Sequence, residues 1–251
     1  MWTRTAHTEG NRSATMRLSG MALATMCLAS AFADASVPEN GTAPATVVTS
    51  RPCTPDQTAH PLPGPACLLA HADLGPLPNE PLYWHIDSFA DLQAAEAAKD
   101  SRGTVASDFG QAWLFTIAPA SWTPAGGIHK ATVGPLPIRP AAAFSVEYVH
   151  SMFAPGMTAP VHRHSGPEGF YAIDGDSCLE MPGGVHTGTG PGNTMVMEGG
   201  PPMALMAVGT QPRRAFAVIL HDATLPATTR VDDWTPRGLC KRYLPDAPTA
   251  P

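Results

Sequence analysis

Gly156–Gly175, GMTAPVHRHSGPEGFYAIDG, carries two histidines one residue apart, a glutamate four residues beyond the second, and a glycine at each end. In an extended chain, side chains at i and i+2 share a face, so His162 and His164 project together while Arg163 points the other way. Ser165, Gly166 and Pro167 form a turn-rich step. That step lets the next strand fold back and bring the Glu168 carboxylate towards the same point. Two imidazoles and one carboxylate are a ligand set used by zinc and by non-heme iron. A bare HxH is ordinarily a pair of surface histidines beside a turn; the surrounding pattern makes this one a candidate metal site.

That pattern is G-x5-H-x-H-x3-E-x6-G, filled without a gap by Gly156, His162, His164, Glu168 and Gly175. It resembles the first motif of the cupin superfamily. The family's second motif, G-x5-P-x-G-x2-H, is met in part by GNTMVMEGGPPM downstream. Gly192 and Gly200 are in place, but Glu198 stands at the proline position and Met203 at the histidine position. The resemblance implies an all-β fold, a cupin jelly-roll β-barrel with one short N-terminal helix. It also implies a divalent metal (Fe, Mn or Zn) held by His162, His164 and Glu168, a small-molecule substrate or ligand, and oxygenase or isomerase chemistry. The other reading is a non-catalytic, metal-free cupin that binds a small ligand or serves a structural role, because a thioether at Met203 suits a hard cation poorly.

Composition bounds the function. Of 251 residues, 43% are hydrophobic and only 14% charged, enough apolar content for a core. A formal net charge of −6, with the basic residues scattered, excludes the phosphate-neutralising patch of a nucleic-acid binder. The 28 prolines and 23 glycines favour short strands and turns over long helices. After Arg17 the run LSGMALATMCLASAFA is apolar and small and ends in overlapping Ala-x-Ala steps, which reads as a signal peptide over residues 1–35. Met16 offers a more compact start than Met1. The apolar run is short of the roughly 20 residues that a membrane anchor needs. Export predicts a secreted or periplasmic protein, with Cys53, Cys67, Cys178 and Cys240 in a compartment that permits disulfides. Three connectivities are open. Short-loop closure favours Cys53 with Cys67, which leaves Cys178 to pin the tail through Cys240.

Along the chain, residues 36–81 read as a Pro-rich extended arm, 82–235 as the barrel domain and 236–251 as a C-terminal tail. Ser88, with Asp91 three residues on, reads as the cap of a helix over FADLQAAEAAK. Beyond Arg102, short β-rich runs bounded by Gly, Pro or Ser indicate about ten antiparallel strands. Residues 83–137 are expected to add strands and a helix to a single barrel. The glycine-rich GGVHTGTGPGN lacks the lysine of a phosphate loop and reads as a strand connection, with His186 in a loop. No G-x-S-x-G elbow occurs. In AAFSVEYVHSMF, alternation places Phe144, Val146, Tyr148, His150 and Met152 on an inward face opposite Ser145, Glu147 and Ser151. With the barrel interior that the resemblance implies, the candidate pocket is Met203, His150, Tyr148 and Phe170, with Met152 and Leu205. His150 is either a partner or substitute ligand there or a core histidine with its hydrogen bonds met. His85, His129 and His221 carry no spacing signal. A homodimer is the assembly to test.

Overall fold

Two ten-residue runs, FSVEYVHSMF and RRAFAVILHD, pair antiparallel along their whole length and form the spine of the fold. The structure, a computed structural model, describes Thr46–Val47 and residues 50–245. The expected signal peptide over 1–35 and the end of the tail over 246–251 lie outside the described residues. The first half contains β1 (Thr46–Val47), α1 (Pro55–Ala59), β2 (Cys67–Gly75), β3 (Tyr83–Phe89), α2 (Leu92–Ala98), β4 (Gly103–Asp108), β5 (Gln111–Ala118) and β6 (Ile128–Val133). The second contains β7 (Phe144–Phe153), β8 (His162–His164), β9 (Glu168–Asp174), β10 (Asp176–Met181), β11 (Gly184–Gly188), β12 (Thr194–Met197), β13 (Ala204–Val208), β14 (Arg213–Asp222) and β15 (Thr228–Arg230). A short 3-10 turn, Leu239–Tyr243, follows. The fold is mostly β-sheet, with few and short helices.

The largest sheet is five-stranded, in the order β12-β9-β14-β7-β2. One face packs on a four-stranded sheet, β4-β5-β3-β6, through a core that includes Trp84, Ile86, Phe115, Val146, Tyr148, Phe216 and Val218. Phe115 lies 5.7 Å from Trp84, 4.9 Å from Tyr148 and 5.1 Å from Phe216, centroid to centroid. Such pairs contribute about 0.5–1.5 kcal/mol each beyond their burial. The opposite face carries Phe153, Phe170, Met195, Met197 and Ala217, packed on Leu179 of β10 and on Met203, Leu205 and Ala207 at β13. Residues 83–137 therefore form a sheet layer of their own against the central sheet, where the sequence suggested extra strands of the barrel.

Local chemistry explains the other departures. The α2 cap is Asp91, whose side chain accepts from the Ala94 amide at 2.8 Å, while Ser88 lies inside β3. A second helix, α1, is set by Thr54 and Gln57 in a reciprocal capping box with Pro55 at its first position. It lies in the segment read as an extended arm. That segment also supplies β2, which pairs with β7 at the margin of the central sheet. Outside β2, Cys53 N donates to Leu68 O at 2.8 Å and Leu68 N to Arg51 O at 2.7 Å, with Cys53 and Cys67 joined as a disulfide. Cys178 and Cys240 form the second disulfide. Beside it the two carboxylate oxygens of Glu180 accept from the Arg237 and Leu239 amides at 2.5 and 2.8 Å. His186 lies on strand β11, exposed.

The β4–β5 hairpin turns through Phe109 and Gly110 at φ 48° and 73°. Glycine takes positive φ freely; phenylalanine rarely does. Phe109 is held there by its ring, which stacks on His150 at 4.7 Å, and by its amide, which donates to Asp108 Oδ1 at 2.8 Å. The other Asp108 oxygen sits 2.7 Å from His150 Nδ1, with both side chains buried.

Candidate metal centre

β8 is three residues long and is held on both edges. On one edge His164, Arg163 and His162 pair with Thr228, Thr229 and Arg230 of β15. On the other, His162 and Met203 exchange both backbone hydrogen bonds, at 2.8 and 3.2 Å, and the Gly200 amide donates to His164 O at 2.9 Å. Arg163 leaves by the outer face to meet Asp233 at 2.9 and 3.0 Å. The two histidines turn inward.

The return to β9 is fixed by close backbone approach. A Cβ on Gly166 would lie 2.0 Å from Leu220 O, so this turn accepts only glycine without moving. Ser165 Oγ donates to Pro226 O at 2.8 Å, and Leu220 N donates to Pro167 O at 3.1 Å. Glu168 then starts β9 opposite Ile219 of β14, and Ile219 also faces Glu147 of β7. Both carboxylates thus lie on the sheet face that looks at β8.

His162, His164 and Glu168 converge, their ligand-type atoms all within 4.8 Å of one another. His162 Nδ1 is 2.6 Å from Pro160 O, and His164 Nδ1 is 3.1 Å from Ala227 O. A carbonyl can only accept, so each Nδ1 carries the proton and each Nε2 presents a lone pair. Those two Nε2 atoms are 3.1 Å apart, and His164 Nε2 is 3.3 Å from Glu168 Oε2. That oxygen is buried and has no hydrogen-bond donor. Three electron-rich atoms facing one another require a cation or a proton between them. An ion bonded at about 2.1 Å would separate its ligands by about 3.0 Å in octahedral and about 3.4 Å in tetrahedral geometry. The two measured edges fall in that range and the third lies within 4.8 Å; the donor types, two imidazoles and a carboxylate, are those a divalent ion takes.

The electrostatics agree. Burial holds His162 below its ordinary value, and the neighbouring His164 adds to the effect. Burial pulls His164 down as well, but the Glu168 carboxylate, the Ala227 carbonyl and Glu147 outweigh it, and its net direction is upward. Of the two imidazoles, His164 is the one that takes a proton when no ion is present.

Met203 is fully buried next to Phe170 and Leu205 in the apolar cluster beside this centre. The other expected pocket residues lie elsewhere. Tyr148 and His150 project from the opposite face of β7, Tyr148 into the core against the four-stranded sheet and His150 onto Asp108 and Phe109. Met152 shares their parity and is half-buried outside the apolar cluster at the centre. The cause is a strand buried on both faces, whose polar side faces the centre. Glu147 and Ser151 had marked that side in the sequence; Arg213, also inside, had given no signal.

No family model and no curated protein matches the chain. Among solved structures it is similar to salicylate 1,2-dioxygenase from Pseudoaminobacter salicylatoxidans in complex with gentisate, at 16% identity over 29% of this chain and 19% of that one, TM-score 0.26. A cupin superfamily protein from Desulfitobacterium hafniense gives 13% identity over 31% of this chain and 68% of that one, TM-score 0.28. A structure of DMSP lyases gives 17% over 35% and 44%, TM-score 0.30. The chain spans about a fifth of the dioxygenase and under half of the lyase chain. What resembles the cupin superfamily is the chain's own motif, whose two histidines and glutamate meet at one point.

Proposed function

We propose that this cupin-like chain is exported and binds one divalent metal ion, Fe, Mn or Zn, through His162, His164 and Glu168, at the open end of a jelly-roll barrel made by the central and smaller sheets. The observation that carries the reading is the meeting of two Nε2 lone pairs and an unpaired carboxylate oxygen at separations of 3.1 and 3.3 Å. The two disulfides support a secreted or periplasmic setting. Among the described residues no helix is long and apolar enough to cross a membrane.

When bound, such an ion supplies Lewis acidity and coordination positions for a small-molecule substrate. The chain does the rest. Pro160 O and Ala227 O fix the tautomers that leave both Nε2 atoms free to ligate. Phe170, Met203 and Leu205 pack as a buried apolar cluster beside the three ligating side chains. With three protein ligands and a thioether at the fourth position, coordination sites stay open for substrate. Oxygenase, lyase and isomerase chemistry all need such openings.

Metal analysis of protein purified without an affinity tag tests this. Near-stoichiometric Fe, Mn or Zn in the parent, lost in His164→Ala, supports it. A parent that holds no metal and takes up none of the three on titration overturns it. The second reading, a metal-free ligand-binding cupin, draws on the buried Met203 opposite His162 and would then stand.

A further inference from the structure

Arg213 opens β14 on the same sheet face as Ala217 and Ile219, so its guanidinium enters the interior that holds the metal centre. The residue is 1% exposed. Nε donates to Ser177 Oγ at 2.5 Å, Nη1 donates to Ser151 Oγ at 2.8 Å, and the group lies 5.6 Å from the centre of the Phe170 ring. Three other arginines of the described chain meet carboxylates, Arg163 with Asp233, Arg214 with Asp174 and Arg139 with Glu198, and none of the three is buried. Arg213 makes no ion pair with a described residue.

A buried ion without a counter-ion is among the more destabilising arrangements in a protein, and two neutral hydroxyls do not neutralise it. Burial lowers the guanidinium to about 10, with the charge of Glu168 pushing back only in part, so it remains charged at neutral pH. The interior charges point the same way. Glu147 and Glu168 contribute two negative charges and Arg213 one positive; a divalent ion leaves one positive charge over, which a single monoanion balances. The planar fork of arginine suits a carboxylate, and the Phe170 ring beside it offers an apolar wall.

We propose that Arg213 anchors the carboxylate of a small organic monocarboxylate, whose apolar body lies along Phe170, Met203 and Leu205 towards the metal centre. The charge tally rests on the metal reading; the unpaired guanidinium does not.

Calorimetric titration of the full chain with formate, acetate, propionate and benzoate, each beside its uncharged amide, tests the anchor. Zinc-loaded and metal-free protein are titrated in parallel. At least one carboxylate should bind the parent at least about 30-fold more tightly than its amide, the scale expected for losing one partner of a buried charge pair. Arg213→Met should abolish that preference while keeping its zinc stoichiometry. Arg213→Lys, which keeps the charge without the fork, should retain part of it and covers the case in which the methionine variant does not fold. No carboxylate favoured over its amide, or an unchanged preference in Arg213→Met, overturns the proposal. A preference that depends on Arg213 in a protein that binds no metal leaves the anchor standing and removes the metal reading instead.

Discussion

Asp108→Ala should melt well below the parent and yet bind metal as the parent does. The Asp108 carboxylate is fully buried, lies 2.7 Å from His150 Nδ1, and accepts the Phe109 amide at 2.8 Å, where the backbone takes φ 48°. Removing the carboxylate leaves two groups, His150 Nδ1 and the Phe109 amide, without their partner, at about 1–3 kcal/mol each. For a unit of 150–250 residues each kcal/mol moves the midpoint by about 2–4 °C, so a total of about 2–6 kcal/mol should lower it by roughly 4–24 °C. Joint replacement, Asp108→Leu with His150→Phe, removes the imidazole together with the carboxylate and should recover the His150 part of the loss, while the Phe109 amide stays unpaired. Thermal unfolding by circular dichroism measures the first effect and zinc calorimetry the second. A midpoint shift of less than about 2 °C for Asp108→Ala would mean that the hairpin is not held by this pair. A zinc affinity weakened by more than about tenfold (about 1.4 kcal/mol) in the double variant would place His150 at the metal centre and refute the assignment of β7 faces.

Metal affinity should depend on pH through His164, whose net shift is upward from 6.5. The proton and the ion compete for Nε2, so affinity falls by about one decade per pH unit below the His164 value and is flat above it, while His162, shifted downward, joins only at lower pH. Calorimetry from about pH 5.5 to about 8.5 checks this, and a pH-independent affinity contradicts it. Met203→His restores an imidazole opposite His162 and should tighten zinc, manganese or iron binding by at least about tenfold; no tightening for any of the three means that Met203 does not stand at a ligand position. Gly166→Ala sets a Cβ against Leu220 O and must shift the turn between His164 and Glu168. Its stability should fall by more than about 2 kcal/mol, with weaker zinc binding in the folded fraction, both read from one thermal titration with and without zinc.

The meeting of two histidines and a glutamate was legible because its geometry is local. His162, His164 and Glu168 lie within seven residues, and strand alternation followed by a tight turn leaves few ways to arrange them. Disulfide pairing was legible for a similar reason, since a short loop closes most easily. The faces of β7 were not. Alternation tells two faces apart but not which one meets the site, and here Tyr148 packs against a second sheet while the less apolar side, with Glu147, faces the His-His-Glu cluster. Ser88 and Asp91 both suit a helix cap, and only pairing of β3 with β5 and β6 decides between them. β2 was hidden by the prolines around it, and β15, at three residues, is too short for any periodicity. Arg213 is one charged residue at the head of an apolar strand, and its isolation appears only when the surrounding strands are in place.

The strap of residues 51–53 across β2 bears on how the protein must be made. An uncovered sheet margin offers free amides and carbonyls to any extended chain that passes. Here residues 51–53 pair with Leu68 at the start of β2, and the Cys53–Cys67 bond holds them there. In a reducing cytoplasm that bond does not form, the strap can lift, and newly made chains meet one another along β2. Oxidising conditions during synthesis should then raise the yield of folded protein, before any question of metal loading arises.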